Sequence, residues 1–295
     1  MGFFSPAAGL LAAIVCCASL TARARSAPQP AQASPPPGTQ SAPTAANQAA
    51  QSAFAGEINQ NENARKARAL LNAAIQALGG QAYLHIQDME EEGKSYAYDH
   101  GESGFGLPFW LFWKFPDKER AELTKQRDVV YIYNGDHGYE KTFKGTRRMT
   151  DKEMADYRAQ RNYTLDLVLR QWAPDPAVAL FYEGQTVALN LAADQVSLMN
   201  TRNQTVTLYL DARTHLPLKE SFTVRNPQGD HDTYDETYSN YQPVQGVETP
   251  MATSRFHNGE QTRQRFLTRV RYNTGVADAL FNATVTYDPD AKRRH

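Results

Sequence analysis

Apolar residues fall in two rhythms along this chain, and the change of rhythm divides it. From about Asn59 they recur every three or four positions, at Ala64, Ala67, Leu70, Leu71, Ala74, Ile75 and Leu78. That spacing lines one face of an α-helix. Gly79-Gly80 ends it, because glycine takes the left-handed C-terminal conformation without steric cost. The rhythm then shortens towards two, which predicts strands over 83–89, 107–115, 119–125, 129–133 and 138–143. Asn134-Gly135-Asp136 supplies a hairpin turn between the last two.

The middle breaks the β pattern. Thr150-Asp151-Lys152-Glu153 reads as a capping box, in which Thr and Glu satisfy each other's free backbone donors, opening a helix to about Arg161. A second helix is predicted from Thr164, with Leu165, Val168, Leu169 and Trp172 on one stripe and Pro174 as its stop. Strands follow over 186–191, 196–200, 205–210, 216–225, 232–241, 248–257 and 261–272, then a short helix near 276–280. No strand–helix alternation points to a parallel sheet. The order predicts an α+β fold: one large curved antiparallel sheet, covered by the N-terminal helix and the two mid-chain helices.

Composition and charge remove several classes. With 31 Lys+Arg against 32 Asp+Glu, the net charge of −1 leaves no broad electrostatic footprint for nucleic acid. Aromatic content of 11% excludes a wholly disordered chain. Mean hydropathy of −0.60 excludes a polytopic membrane protein.

Residues 7–20 are apolar, too short to span a bilayer comfortably but right for a signal h-region. Ala22-Arg23-Ala24 and Ala24-Arg25-Ser26 are small-x-small cleavage sites, although residues 1–6 hold no Lys or Arg. The expectation is an exported chain with a signal peptide over 1–26; an uncleaved anchor is the alternative. Cys16 and Cys17 both lie in the h-region, and neither follows the small residue that lipidation needs. Cleavage after Ala24 would leave no disulfide, no thiol nucleophile and no Cys metal site. Residues 27–55, rich in Pro, Ala and Gln, are expected to be a disordered linker. That leaves 56–285 as one domain, long enough to bury roughly 70% of its unfolded surface, and 286–295 as a basic tail.

Several stretches together resemble a known superfamily. Trp113-Lys114-Phe115-Pro116 through Arg120 looks like its early strand pair, and VVYIYNGDHG (129–138) like its central hairpin. DARTHLP (211–217), VQGVETP (244–250) and NTGVADALF (273–281) resemble its back and closing strands. The chain is thus similar to LolA-like and LolB-like periplasmic lipid- and lipoprotein-binding proteins, of the outer-membrane lipoprotein-sorting type. The resemblance implies a half-open barrel with helices as a lid over a cavity for acyl chains. It also implies the periplasm or envelope of a Gram-negative-type bacterium. The well-studied carriers place a lid-tethering Arg where this chain has Phe115, so lid docking here is expected to be apolar and easily opened.

The stretch 107–113 (LPFWLFW) is the most unusual. Alternation puts Phe109, Leu111, Trp113 and Phe115 on one face and Trp110 and Phe112 on the other. A strand apolar on both faces must be covered on both. The first face is either core or the wall of a ligand cavity. In the second case Phe109, Leu111, Trp113 and Phe115 would face Leu165, Val168, Leu169 and Trp172 of the lid.

Other motifs carry less. Gly101-Glu102-Ser103-Gly104 is not a nucleophile elbow, since the second Gly is misplaced for Ser103. His231, Asp232, Asp235 and Glu236 form the one His–carboxylate cluster, but a strand splits it between two faces, which predicts a solvated surface over a metal site. Arg147-Arg148 and Lys292-Arg293-Arg294 read as solvated basic residues, with loose attraction to anionic lipid as the alternative. An enzyme reading finds no anchor. The expectation is a monomer without cofactor or metal, binding an apolar ligand, a lipid or a lipidated protein. The alternative is a non-transporting interaction or sensing module with an envelope protein partner.

The export reading predicts cleavage between Ala24 and Ala27. N-terminal sequencing of the exported protein checks it; a chain that begins at Met1 overturns it.

Overall fold

The computed structural model describes residues 45–226 and 229–289. The expected signal peptide, most of the linker, the turn residues Pro227 and Gln228, and the tail residues Lys292, Arg293 and Arg294 lie outside the described residues.

Three helices open the described part: α1 (Ala45–Ile58), α2 (Glu62–Ala77) and the single turn α3 (Gln81–Leu84). Seven strands follow: β1 (Asp88–Asp99), β2 (Glu102–Ser103), β3 (Leu107–Lys114), β4 (Lys118–Leu123), β5 (Val129–Asn134), β6 (His137–Thr142) and β7 (Gly145–Arg148). The mid-chain helices are α4 (Asp151–Arg161) and α5 (Leu165–Leu167), which runs into a π-helical turn over Val168–Trp172. Seven more strands complete the fold: β8 (Ala179–Ala188), β9 (Leu191–Met199), β10 (Thr205–Asp211), β11 (Pro217–Arg225), β12 (His231–Val244), β13 (Val247–His257) and β14 (Glu260–Tyr272). A 3-10 turn, Asp278–Phe281, ends the ordered elements.

All strand pairs are antiparallel in one sheet of order β7-β6-β5-β4-β3-β1-β14-β13-β12-β11-β10-β9-β8, with β2 paired to β1. Its two ends, β7 and β8, do not pair with each other. This is the α+β curved, open sheet that the element order predicts.

The core lies between one face of the sheet, here the inner face, and the helices. Asn61 caps α2 by accepting from the Ala64 amide at 2.8 Å. The expected stripe then buries Ala64, Ala67, Leu71, Ala74 and Leu78 against Val196, Leu198, Val206, Leu208 and Leu210. Gly79 lets the helix end turn away at φ +123°, where a Cβ would stand 2.3 Å from the Gly246 carbonyl oxygen. The outer face of β3–β6 is covered separately, by Val276 and Phe281 packed on Val130, Ile132 and Phe112. Both faces of the aromatic strand are therefore covered, as its composition requires.

Three expectations need correction. Residues 45–55, expected within the linker, belong to helix α1, because Ala and Gln are strong helix formers and Ala55 is buried. Residues 83–89 are not a strand; Tyr83 and Ile86 are buried in the core, and the strand begins at Asp88. In this strand Glu90 and Glu92 pair across the outer face with Arg271 and Arg269. The domain does not stop at 285: the Thr286 and Tyr287 amides donate to the Thr146 carbonyl at 2.8 and 3.0 Å, along edge strand β7.

The other edge is closed by side chains. The Asn59 carboxamide donates to the Val178 carbonyl (2.8 Å) and accepts from the Leu180 amide (3.0 Å). One helical turn on, Asn63 donates to the Tyr182 carbonyl (2.7 Å) and accepts from its amide (2.8 Å). Each carboxamide thus imitates a strand backbone. Replacing both by Ala is expected to lower stability by about 2 kcal/mol, as for several modest hydrogen bonds lost at a solvated edge. Urea unfolding measures it; no change would show that water substitutes fully.

Candidate functional site

The inner face changes character along a single row of the sheet. Cross-strand partners run Val196, Leu208, Glu220, Glu236, Arg255, Arg263 over β9 to β14. Partners share a face, so all six point inward. The apolar end lies under α2; the charged end lies beyond it. Two residues along β14, Arg265 stands on the same face and its guanidinium lies 5.1 Å from the Phe109 ring.

The eight expected cavity residues are brought together in part. Phe109, Leu111 and Trp113 are buried on the inner face of β3. Val168 and Leu169 are fully buried, and Trp113, Val168 and Leu169 join the main core, with Phe115, Leu165 and Trp172 packed half-buried against it. Phe109 and Leu111 stand apart from that cluster, next to the charged end. Trp110 and Phe112 face outward, Trp110 beneath Arg127 at 3.9 Å.

Helix α4 and the turn after it lie over this face as a lid. The capping box forms as expected: the Glu153 amide donates to Thr150 Oγ1, and the Thr150 amide to Glu153 Oε2. Arg147, expected to be solvated, instead clasps Glu140 (2.6 Å) and Glu153 (2.7 Å) and holds the Glu153 carboxyl down to about 2. Tyr157 stacks on Tyr133 at 3.6 Å and donates to Glu119 at 3.0 Å. Tyr163 stacks on Phe222 at 4.1 Å, continuing to Tyr234 and His257 as a column of four rings. The expectation of wholly apolar docking fails at Arg170. Its guanidinium lies 3.9 Å from the Phe115 ring and donates to the Leu84 and Ile86 carbonyls at 3.2 and 2.7 Å. The cation comes from the lid and lands on the aromatic strand's end, where the sequence offers Phe115.

Electrostatics at the charged end are unbalanced. Burial pushes the Glu220 carboxyl well above the usual carboxylate range, aided by Glu236. Burial also acts to raise Glu236, but Arg255, Arg263 and Arg265 outweigh it and hold the group ionised. Glu236 accepts from Arg255 Nε at 2.9 Å. Burial and neighbouring guanidiniums lower Arg263 and Arg265. Sequence periodicity predicts a strand over 261–272 without marking this end of it. The structure puts Arg265 and Arg263 inside and Phe266 outside, edge-on to Tyr96 at 6.0 Å. The signal was there: an Arg-x-Arg alternation in a strand otherwise suited to a core. Glu236, expected on a solvated face, points inward for the same reason. Asp235 faces the other way, towards Lys219 at 3.3 Å.

Two clefts lie elsewhere and include none of the lid residues. One, of about 230 Å³, is on the outer face among Glu90, Glu92, Trp110, Arg127, Arg269 and Arg271. The other, of about 360 Å³, lies between Phe54 of α1 and Met199 of β9. Among the described residues no His, Cys, Asp and Glu cluster has metal-binding geometry.

No protein-family model matches the sequence. No curated protein matches it either. Solved structures do share the fold. A DUF1329 family protein from Desulfovibrio piger is similar at TM-score 0.53 and 12% identity, over 73% of this chain and 97% of its own. A domain described as an outer membrane lipoprotein-sorting protein, from Vibrio parahaemolyticus, gives 0.47 and 11% over 78% and 97%. A LolA superfamily protein from Nitrosomonas europaea gives 0.47 and 12% over 74% and 97%. The chain shares the fold of the DUF1329 family protein. At such identities the likeness carries the fold alone.

Glu91 gives the charged end a pH signature. Burial lifts its carboxyl to about 7, against the pull of Arg265, whereas in the unfolded chain it is about 4.3. The folded state therefore holds a proton that the unfolded chain releases, and stability falls as pH rises from about 4.3 to 7. Glu91→Gln is expected to melt with the wild type near pH 4 and to be up to about 4 kcal/mol more stable at pH 8. Equal stability at both pH values would place the carboxylate in free solvent.

Proposed function

We propose that this chain is a non-catalytic protein of the bacterial envelope that holds an apolar ligand or a lipidated partner between its lid and the inner face. The observation that carries the reading is how the lid is held. Residues 151–172 cover the inner face through stacked rings and the Arg170 guanidinium, above a wall of Phe109, Leu111 and Trp113. Ring stacks and a guanidinium on carbonyls are contacts that can part and re-form without unfolding the sheet. An acyl chain laid along that wall gains about 0.8 kcal/mol per buried CH₂ without polar partners. The resemblance to LolA-like proteins and the signal-like N-terminus support an exported carrier.

A second reading, an interaction or sensing module that moves no lipid, is favoured by the tip of the β8–β9 hairpin. Val187, Leu189 and Leu191 are exposed there, at 70%, 46% and 46%. Leu189 adopts φ 50°, a conformation that costs a bulky residue steric energy. In that reading the apolar tip meets an envelope protein and the lid stays shut.

Arg170→Met keeps the stem and removes the donors. It is expected to speed entry of an apolar fluorescent probe roughly tenfold, as charge-assisted hydrogen bonds are lost from the closed state. Stopped-flow fluorescence reads this, and amide exchange over 165–172 should rise in step. Native mass spectrometry of the full chain from an envelope extract separates the readings. A co-purifying lipid supports the first; a stoichiometric protein without lipid, with probe entry unchanged in Arg170→Met, moves the second ahead.

A further inference from the structure

The charged end of the inner face has a use that an apolar cavity does not need. Arg255, Arg263 and Arg265 share one face, since Arg255 and Arg263 are cross-strand partners and Arg265 is two residues along the same strand. Arg255 is matched by Glu236. Among the described residues the Arg263 side chain has no hydrogen bond or ion pair, and Arg265 Nε is buried with no acceptor. Both side chains nevertheless keep partial contact with solvent. They are set deep among protein atoms yet can be reached from outside.

Guanidiniums left this way are costly. A charge taken from water needs a counter-charge and acceptors for its donors. The nearby carboxyls do not supply them. Glu220 makes no ion pair with either arginine and burial disfavours its charged form, Glu236 is engaged by Arg255, and Glu91, beside Leu111, is lifted by burial to about 7. Glu119, on the far side, accepts from Tyr157. The planar forks of two arginines suit one carboxylate or phosphate, which each can hold through paired N–H donors. Phe109, in contact with Arg265, and Leu111 provide an apolar path leading away from that point.

We propose that Arg263 and Arg265 form a binding site for one anionic group, a carboxylate or a phosphate, at the charged end of the inner face. The inference rests on the inner face being a binding surface, and it deepens that reading: the ligand is an acidic amphiphile, its head on the arginines and its chain along Phe109 and Leu111.

Calorimetric titration of the full chain at pH 8 with decanoate, decanol and inorganic phosphate tests this. Decanoate is expected to bind at least about tenfold more tightly than decanol. Arg263→Gln/Arg265→Gln is expected to erase that preference and leave decanol binding unchanged. Phosphate binding that the double variant loses, with no gain from an acyl chain, would identify a free anion as the occupant of the same site. Equal binding of decanoate and decanol, with no phosphate bound, overturns the anion site and leaves the apolar reading standing. Binding of none of the three overturns both. If the double variant does not fold, Glu91→Gln decides. Removing that carboxylate should tighten decanoate or phosphate several-fold at pH 8, and an unchanged affinity overturns the proposal.

Discussion

A sheet of this size needs its inner face covered, and the described helices are too short to cover all of it. Everything else in the molecule follows from where that cover ends. Helix α2 lies close on β8–β11 because its contact face is largely alanine: Ala64, Ala67 and Ala74 bring backbone, not side chain, to the strands. Close approach excludes water and makes this the driest part of the molecule. Over β12–β14 the helical cover is replaced by the lid and by charge. The inner row changes from Leu208 to Glu220 and Glu236 within two strands. A face that stayed apolar beyond the helix would be an exposed patch, with the aggregation risk such patches carry.

Charge on the two faces of the same strands does different work. On the outer face, Glu90 with Arg271 and Glu92 with Arg269 are paired near water, where such pairs contribute little to stability. Inside, the same β1 and β14 present Glu91, Arg263 and Arg265, where solvent screens less and each unmatched charge has a larger energetic effect. The strands thus carry ordinary surface electrostatics outward and a strained set inward. A core selected for stability alone would not keep three guanidiniums in adjacent positions. That imbalance is the physical sign of a site.

Much of the fold was legible because local and tertiary preferences agree. The α2 stripe, the Thr150–Glu153 box, the aromatic strand and the closing meander all had periodicity or caps that packing then used. Failures occurred where tertiary contacts overrode local pattern. Residues 45–56 lack charge and resemble a tether, yet docking of Ala55 makes them a helix. The strand expected over 83–89 begins later, because its pairing is set by partners on β14 some 180 positions away. The site was half legible. Phe109, Leu111, Trp113, Val168 and Leu169 were found as an apolar group. The arginines were missed because the strand over 261–272 mixes Arg with apolar residues, and periodicity alone does not say which of its faces is inner. Arg170 was missed because it lies off the stripe of its own helix, and its acceptors are backbone carbonyls, which no side-chain pattern reveals.

The carboxamide seal on β8 also orders events in time. Asn59 and Asn63 precede their strand partners in the chain by about 120 positions, so during synthesis from the N-terminus the cover exists before the edge it covers. When β8 pairs with β9 and the half-sheet begins to form, its free backbone groups meet a prepared helix and not a second nascent chain. The opposite edge has the reverse schedule: β7 is made early, and the segment at 286–287 that lies along it arrives last. A chain interrupted before its last ten residues would leave one edge sealed and the other open, and association between chains should begin at β7. The two edges of one sheet thus differ in when they are safe, and premature termination exposes only one of them.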